Sequence, residues 1–371
     1  MSHSVKVQAD LLVKLHPEYP RAGEHHEHCL KILIYSRAFW PSIGGLEMMM
    51  EILAEEFTAA GHQVKVATQV ACEVERNHDY EIVRLPTLKS YLQLLRWSDV
   101  YLSANVSLRG LLPVIVTRTP LVVSHQNIYD SPGIVPKLKK IVTRFSRNIC
   151  CSQAVQSCLP GRSAVIPNSY RIEIFKEHCD VTRDLDIVFV GRLVSDKGVT
   201  DLIDALGQLG QAGFRPRLSI VGDGPERQAI LTRVGELDLG SQVTFTGTKL
   251  GSDLARFVAR HRVLAIPSRW AEPFGIVALE GIACGCVVVG TNLGGLPEAI
   301  GPCGVTVPNG DTSAMARALR SVLEDDSLRA GYRSGAAVHL ARHLSSNVAR
   351  GYLSVLESAT RLSSRATQSV L

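Results

Sequence analysis

The chain has 371 residues, 46% of them apolar and 20% charged, which is enough for two domains that each bury a core. A net charge of +5 is too small to indicate a nucleic-acid partner, and no apolar run approaches the roughly 20 residues that span a bilayer. Nine cysteines without a C-x-x-C pair argue against zinc or a disulfide framework and for a reducing, cytoplasmic location, while residues 1–29 lack the apolar core of a signal peptide.

Residues 1–29 read as a polar, flexible tail whose His25-His26-Glu27-His28-Cys29 run is better explained as unstructured than as a metal site. Lys31 to Tyr35 is a short buried strand, followed by the turn Pro41-Ser42-Ile43-Gly44-Gly45 and an amphipathic helix from Leu46 to Ala60 that Gly61 ends. Strands follow at Val64 to Thr68, Val114 to Val116 and Leu121 to His125. Pro136 to Asn148 reads as a helix with Lys137, Lys140, Arg144 and Arg147 on one face and Leu138, Ile141, Val142 and Phe145 on the other. The bland reading is a solvated basic face over a core-packed stripe. The functional one is peripheral contact with an anionic membrane. Asn148 to Ser152 and Ser163 to Ile166 close this half.

The pattern restarts at Asp186 to Gly191 and continues with strands at Arg217 to Val221, Gln242 to Phe245, Val263 to Ile266, Val287 to Val289 and Gly304 to Val307. Strands alternating with helices predict α/β domains with parallel sheets and right-handed crossovers. The expected division is 30–180, 181–343, and a C-terminal helix and tail at 344–371.

The densest chemistry lies in Ser268 to Glu280. Pro273 and Gly275 break the preceding strand, and Phe274 to Ala283 has apolar residues at helical spacing. The N–H groups of Gly275, Ile276 and Val277 should therefore be unpaired at a helix start, which suits a phosphate. Glu280, one turn on and tilted back, can reach whatever the phosphate carries, and Glu272 outside the helix can accept from a second set of hydroxyls. A phosphate between two hydroxyl-binding carboxylates describes a nucleotide sugar. A capped core helix with two incidental acids remains open on this segment alone.

Three further loops follow strands. Gly191-Arg192 to Lys197-Gly198 puts a guanidinium and an ammonium at a sheet edge, where open α/β sheets bind ligands and where two cations can stabilise a leaving diphosphate without a metal. Gly222-Asp223-Gly224-Pro225 lacks the third glycine of a dinucleotide fingerprint. Gly44-Gly45 allows close backbone approach to a ligand.

Together these motifs resemble the retaining glycosyltransferases of the GT-B fold, glycosyltransferase family 4 (glycosyl transferases group 1). Glu272 to Glu280 is similar to the E-x7-E signature, Gly191 to Gly198 to G-R-x(4)-K-G, and Gly222 to Pro225 to the G-x-G-P loop near the nucleotide. Ile166-Pro167-Asn168-Ser169 resembles a P-N-G turn with serine for glycine, and Gly281 and Val287 also depart from the usual residues. The resemblance implies two Rossmann-like parallel-sheet domains facing across a cleft, with the C-terminal helix returning to the first. It implies metal-free, retaining transfer of a hexose from a UDP- or GDP-sugar, with no other cofactor, to a glycan or lipid-linked acceptor in cell-envelope glycan synthesis. Catalytic roles fall on Arg192 and Lys197 for leaving-group charge, Glu272 for the donor sugar, and His125, matched to a histidine over that sugar. Nucleotide-sugar binding falls on Gly44, Gly45, Gly191, Gly222, Gly224, Phe274, Gly275, Ile276, Val277 and Glu280. The alternatives are a nucleotide-sugar epimerase of the same fold or a non-catalytic binding module.

Overall fold

The computed structural model describes residues 29–42, 44–73, 76–107, 114, 116–129 and 133–368, so the histidine run 25–28 lies outside the described residues. The chain divides into one unit of residues 1–169 and 341–371 and another of residues 170–340, so that the expected boundary at 180/181 falls inside the second.

Each unit is built on one parallel sheet. In the first, β1 (Lys31–Ser36), β2 (Gln63–Thr68), β3 (Glu81–Arg84), β4 (Val100–Ala104), β5 (Leu121–His125), β6 (Arg147–Cys150) and β7 (Ala164–Val165) run in the order β3-β2-β1-β4-β5-β6-β7. In the second, β8 (Leu185–Val190), β9 (Leu218–Val221), β10 (Val243–Gly247), β11 (His261–Ile266), β12 (Val287–Thr291) and β13 (Gly304–Val307) run β10-β9-β8-β11-β12-β13. Inner strands such as β4 and β12 are buried throughout. Covering a parallel sheet on both faces makes its strands unbroken apolar runs, without alternation. Each order reverses once, between β1 and β4 and between β8 and β11. Loops leaving the carboxyl ends of such a strand pair part from each other and open a crevice.

Helix α1 (Gly45–Ala59) buries Met49, Met50, Leu53 and Phe57 against Ile32 and Ile34 of β1, and Gly61 follows it at φ +89°. On the opposite face α2 (Leu88–Trp97), capped by the Thr87 side chain accepting from Ser90 N, sets Tyr91, Leu94 and Leu95 against Leu33, Tyr35 and Tyr101. Three more helices matter to the site: α4 (Val199–Gln211), α5 (Ile276–Ala283) and α6 (Leu296–Ile300). The last helix, α7 (Ser345–Gln368), contributes Val348, Tyr352, Leu353 and Leu356 to the core of the first unit.

Two expectations fail in the first unit. Val114, Val116 and Thr117 are helical and Val116 is 69% exposed, so the run is no strand. Three apolar residues are too few to fix a period. The expected helix Pro136 to Asn148 is instead α3 (Ile134–Val142), a 3-10 turn (Thr143–Phe145) and the start of β6. Thr143 Oγ1 donates to Lys140 O (2.6 Å), and Asn148 Nδ2 donates to Thr143 O (2.7 Å) and Ser146 O (3.1 Å), so side chains end the helix early. Arg147 therefore stands on a strand, and Leu138, Ile141 and Phe145 are exposed where a core-packed stripe was one reading.

Candidate functional site

The site in the second unit assembles where β8 and β11 part. Gly198, at φ +64°, precedes α4, and a Cβ there would run into Pro267 O, so only glycine lets the β8 loop lie against the end of β11. Arg269 N and Trp270 N donate to Asp196 O at 2.9 and 3.2 Å. Arg269 also grips Asp201 at the start of α4, Nε to Oδ2 at 2.7 Å and Nη2 to Oδ1. These bonds bring Lys197 to Glu272. Lys197 Nζ donates to Glu272 Oε1 at 2.5 Å, and Ser268 Oγ donates to the same oxygen at 2.9 Å. The Glu272 side chain is 14% exposed and that of Lys197 29%, so the pair sits in a medium where charge counts for more than at an open surface. The backbone of Glu272 is held too, its carbonyl accepting from Gly295 N at 2.7 Å.

Gly275 at φ +99° opens α5 with no side-chain cap, Phe274 anchoring it in the core. The first turn bond is Ala278 N to Gly275 O (2.9 Å), and Ile276 and Val277 precede it with N–H groups that point out of the helix start. Glu280 lies one turn on and is partly buried. Desolvation pushes its carboxyl up to about 7, and no side chain or backbone group among the described residues bonds to the carboxylate. A half-buried, unpartnered acid beside a helix N-terminus is a functional-site signature.

Arg192 is exposed at the end of β8. The nearby glycines shape backbone packing: a Cβ on Gly222 (φ +134°) would collide with Gly191 O, and one on Gly224 with the Leu193 backbone. Gly191 N donates to Val221 O (3.0 Å) and Gly222 N to Gly247 O (2.9 Å), so the loops after β8, β9 and β10 are stitched together.

In the first unit, Gly44 is an extended cap and Gly45 the first residue of α1, with Ser42 Oγ donating to Glu47 Oε1 at 3.1 Å. His125 ends β5, fully buried. Because Asn148 Nδ2 serves two carbonyls, its Oδ1 is the atom facing His125 Nε2 (2.9 Å); Nε2 therefore carries the proton and Nδ1 accepts from Tyr129 OH (3.2 Å). Burial lowers the pKa from 6.5 to about 4. Expected as a group lying over a sugar, His125 is here a neutral ring enclosed by two partners.

The residues not foreseen are Asp201, which clamps the Lys197 loop through Arg269, and Ser268, which orients Glu272. Both are short-range to known motifs, but their partners depend on which strands are neighbours. Among the described residues no group of three or more His, Cys, Asp and Glu could hold a metal, and no helix is long and apolar enough to cross a membrane.

Residues 171–338 match the family model described as glycosyl transferases group 1. A glycogen synthase of Mycobacterium tuberculosis is 35% identical over 146 residues, 39% of this chain and 35% of that protein. A D-inositol 3-phosphate glycosyltransferase of Jonesia denitrificans is 34% identical over 180 residues, 46% of this chain and 42% of that protein. The chain thus spans less than half the length of these two relatives. Among solved structures, Anabaena HepE in complex with UDP and glucose superimposes with a TM-score of 0.75 at 22% identity, covering 89% of this chain and 100% of that one. A sucrose-phosphate synthase from Thermosynechococcus elongatus gives 0.72 at 20% identity, covering 89% and 98%. At such identities the likeness is one of fold, GT-B.

Proposed function

We propose that the chain, whose residues 171–338 match the glycosyl transferases group 1 family model, transfers a hexose from a UDP- or GDP-sugar to a glycan or lipid-linked acceptor with retention at the anomeric carbon and without a metal. The observation that supports this best is the meeting of Lys197 and Glu272, from loops after two neighbouring strands, beside a free helix start and the unpartnered Glu280. In this reading the diphosphate lies at Gly275 to Val277, with Phe274 holding that turn, and the ribose hydroxyls donate to Glu280. Glu272 accepts from the donor sugar. As the bond from anomeric carbon to phosphate oxygen breaks, negative charge grows on the diphosphate, and Arg192 and Lys197 stabilise it. The acceptor hydroxyl attacks the same face, its proton passing to the departing phosphate oxygen. Gly191, Gly222 and Gly224 keep the loops of the second unit close.

Incubating the protein with UDP-glucose, GDP-mannose and UDP-N-acetylglucosamine separately, and following nucleoside diphosphate release, tests the reading. Release from one donor is the expected result, with an α-configured product by NMR when an acceptor is found. Interconversion of the sugar still attached to its nucleotide would point to an epimerase, and binding without any turnover to a non-catalytic module.

A further inference from the structure

Four large apolar side chains exposed among the described residues crowd into one short stretch: Ile134 (73% exposed), Leu138 (42%), Ile141 (52%) and Phe145 (83%). Single exposed apolar residues are ordinary. A row at four-, three- and four-residue steps is one stripe along α3 and the 3-10 turn that extends it. Helical geometry sets Lys137, Lys140 and Arg144 along one flank of that stripe. From residue 134 to residue 162 the sequence carries Lys137, Lys139, Lys140, Arg144, Arg147 and Arg162 and no Asp or Glu.

Next to Phe145 in the chain opens a pocket of about 350 Å³ lined by Arg144 and Arg162, with Thr143, Ser146 and Gly161 between them. Thr143 Oγ1 is spent on Lys140 O (2.6 Å) and Ser146 Oγ on Asn148 Oδ1 (3.0 Å). The guanidiniums are therefore the donors left to face the pocket. Two such forks match the oxygens of a phosphate. The pocket lies at the amino edge of the first sheet, before β6 and β7, whereas His125 and the Gly44-Gly45 turn lie at its carboxyl edge.

We propose that this face of the first unit seats on an anionic phospholipid bilayer, with the apolar stripe entering the acyl boundary and the pocket between Arg144 and Arg162 taking a lipid phosphate. An apolar stripe flanked by cations is the chemistry of helices that lie in a membrane interface. An acidic protein or a nucleic acid would be met by the cations alone, and Ile134, Leu138 and Ile141 offer neither hydrogen bonds nor ring faces to one. None of these residues belongs to the sugar-nucleotide site, so the proposal stands or falls apart from the catalytic reading.

Sedimentation of the full chain with vesicles of equimolar phosphatidylcholine and phosphatidylglycerol, against phosphatidylcholine alone, tests it. Salt-sensitive binding to the anionic vesicles is expected. Since each cation near such a surface is worth roughly a fivefold change in partition, Arg144→Glu with Arg162→Glu should weaken binding more than about tenfold. Ile141→Ser with Phe145→Ser should weaken it comparably, and because these side chains are exposed the melting temperature should hold. In Phe145→Trp the added indole emission should shift to the blue on anionic vesicles only. Absence of vesicle binding at low salt would overturn the proposal. So would binding that survives the serine pair, or a homodimer in solution that the serine pair abolishes, which would assign the face to a second copy.

Discussion

Glu272 and Lys197 neutralise each other in the free protein, so in the function proposed above a donor phosphate arriving at Lys197 must compete with a carboxylate at 2.5 Å. A cation released in this way would act mainly as charge develops on the leaving group. Losing one such preorganised donor costs about 10²–10³ in rate. Arg192→Ala and Lys197→Ala are expected to lower turnover by that order at saturating donor with the fold intact; near wild-type turnover in either would remove it from the leaving-group role. Glu280 behaves differently because its carboxyl is raised to about 7 by burial. Ribose hydroxyls donate best to the ionised form, so affinity for the nucleoside diphosphate should drop as pH falls through about 7. Calorimetry between pH 6 and pH 8 should show that slope in the wild type and weaker binding with a shallower slope in Glu280→Gln, the remainder being the second ionisation of the ligand's own terminal phosphate at about pH 6. An equal slope in both would reassign the titration to another group.

At the scale of elements, the Lys197 loop is positioned by its neighbour strand: Arg269 bonds Asp196 through its backbone and Asp201 through its side chain. Arg269→Ala leaves Asp201 mostly buried without its fork, a loss of about 1–3 kcal/mol once the half-exposed guanidinium is discounted. Turnover is expected to fall about tenfold with nucleoside diphosphate affinity largely kept, and Arg269→Lys should recover only part of it, since an ammonium cannot bridge both carboxylate oxygens. Wild-type turnover in Arg269→Ala would show the tether to be structural only. The same elements show what the sequence could reveal. The strands β8, β11 and β12 are legible as unbroken apolar runs, and the Glu272 to Glu280 spacing is legible because one turn and one helix carry it. The Lys197 contact to Glu272 is not, because it depends on β8 and β11 being neighbours across 75 residues of chain. Neither is the end of α3 at Val142, which is set by Thr143 and Asn148 side chains donating to backbone carbonyls, nor the strand β4, whose short run is interrupted by the buried polar Ser103.

For the whole molecule, a buried histidine on a strand of each sheet is held neutral: His125 on β5 and His261 on β11. In the first, His125 is lowered to about 4 by burial; in the second, His261 is likewise lowered to about 4, its Nδ1 donating to Phe257 O (2.9 Å) and its Nε2 accepting from Ser219 Oγ (2.8 Å). The unfolded chain takes a proton on each near pH 6.5, but the folded chain cannot until about pH 4. Each therefore withdraws stability as pH falls through that window, by at most about 1.4 kcal/mol per pH unit. Glu280 has the opposite sign: its carboxyl is raised from 4.5 to about 7, so its contribution is complete below pH 4.5 and is lost as pH rises to about 7. In the second unit the two nearly cancel between pH 6.5 and pH 4.5, whereas in the first His125 has no such counterpart among the described residues. Acid should thus unfold the first unit ahead of the second. Calorimetric melts at pH 7.5, 6 and 5 should show one transition moving down faster than the other. Glu280→Gln removes the offset, so it should steepen the acid loss of the more resistant transition and leave the sensitive one where it was. If the substitution instead moves the sensitive transition, or both equally, the assignment of these groups to independent units is wrong.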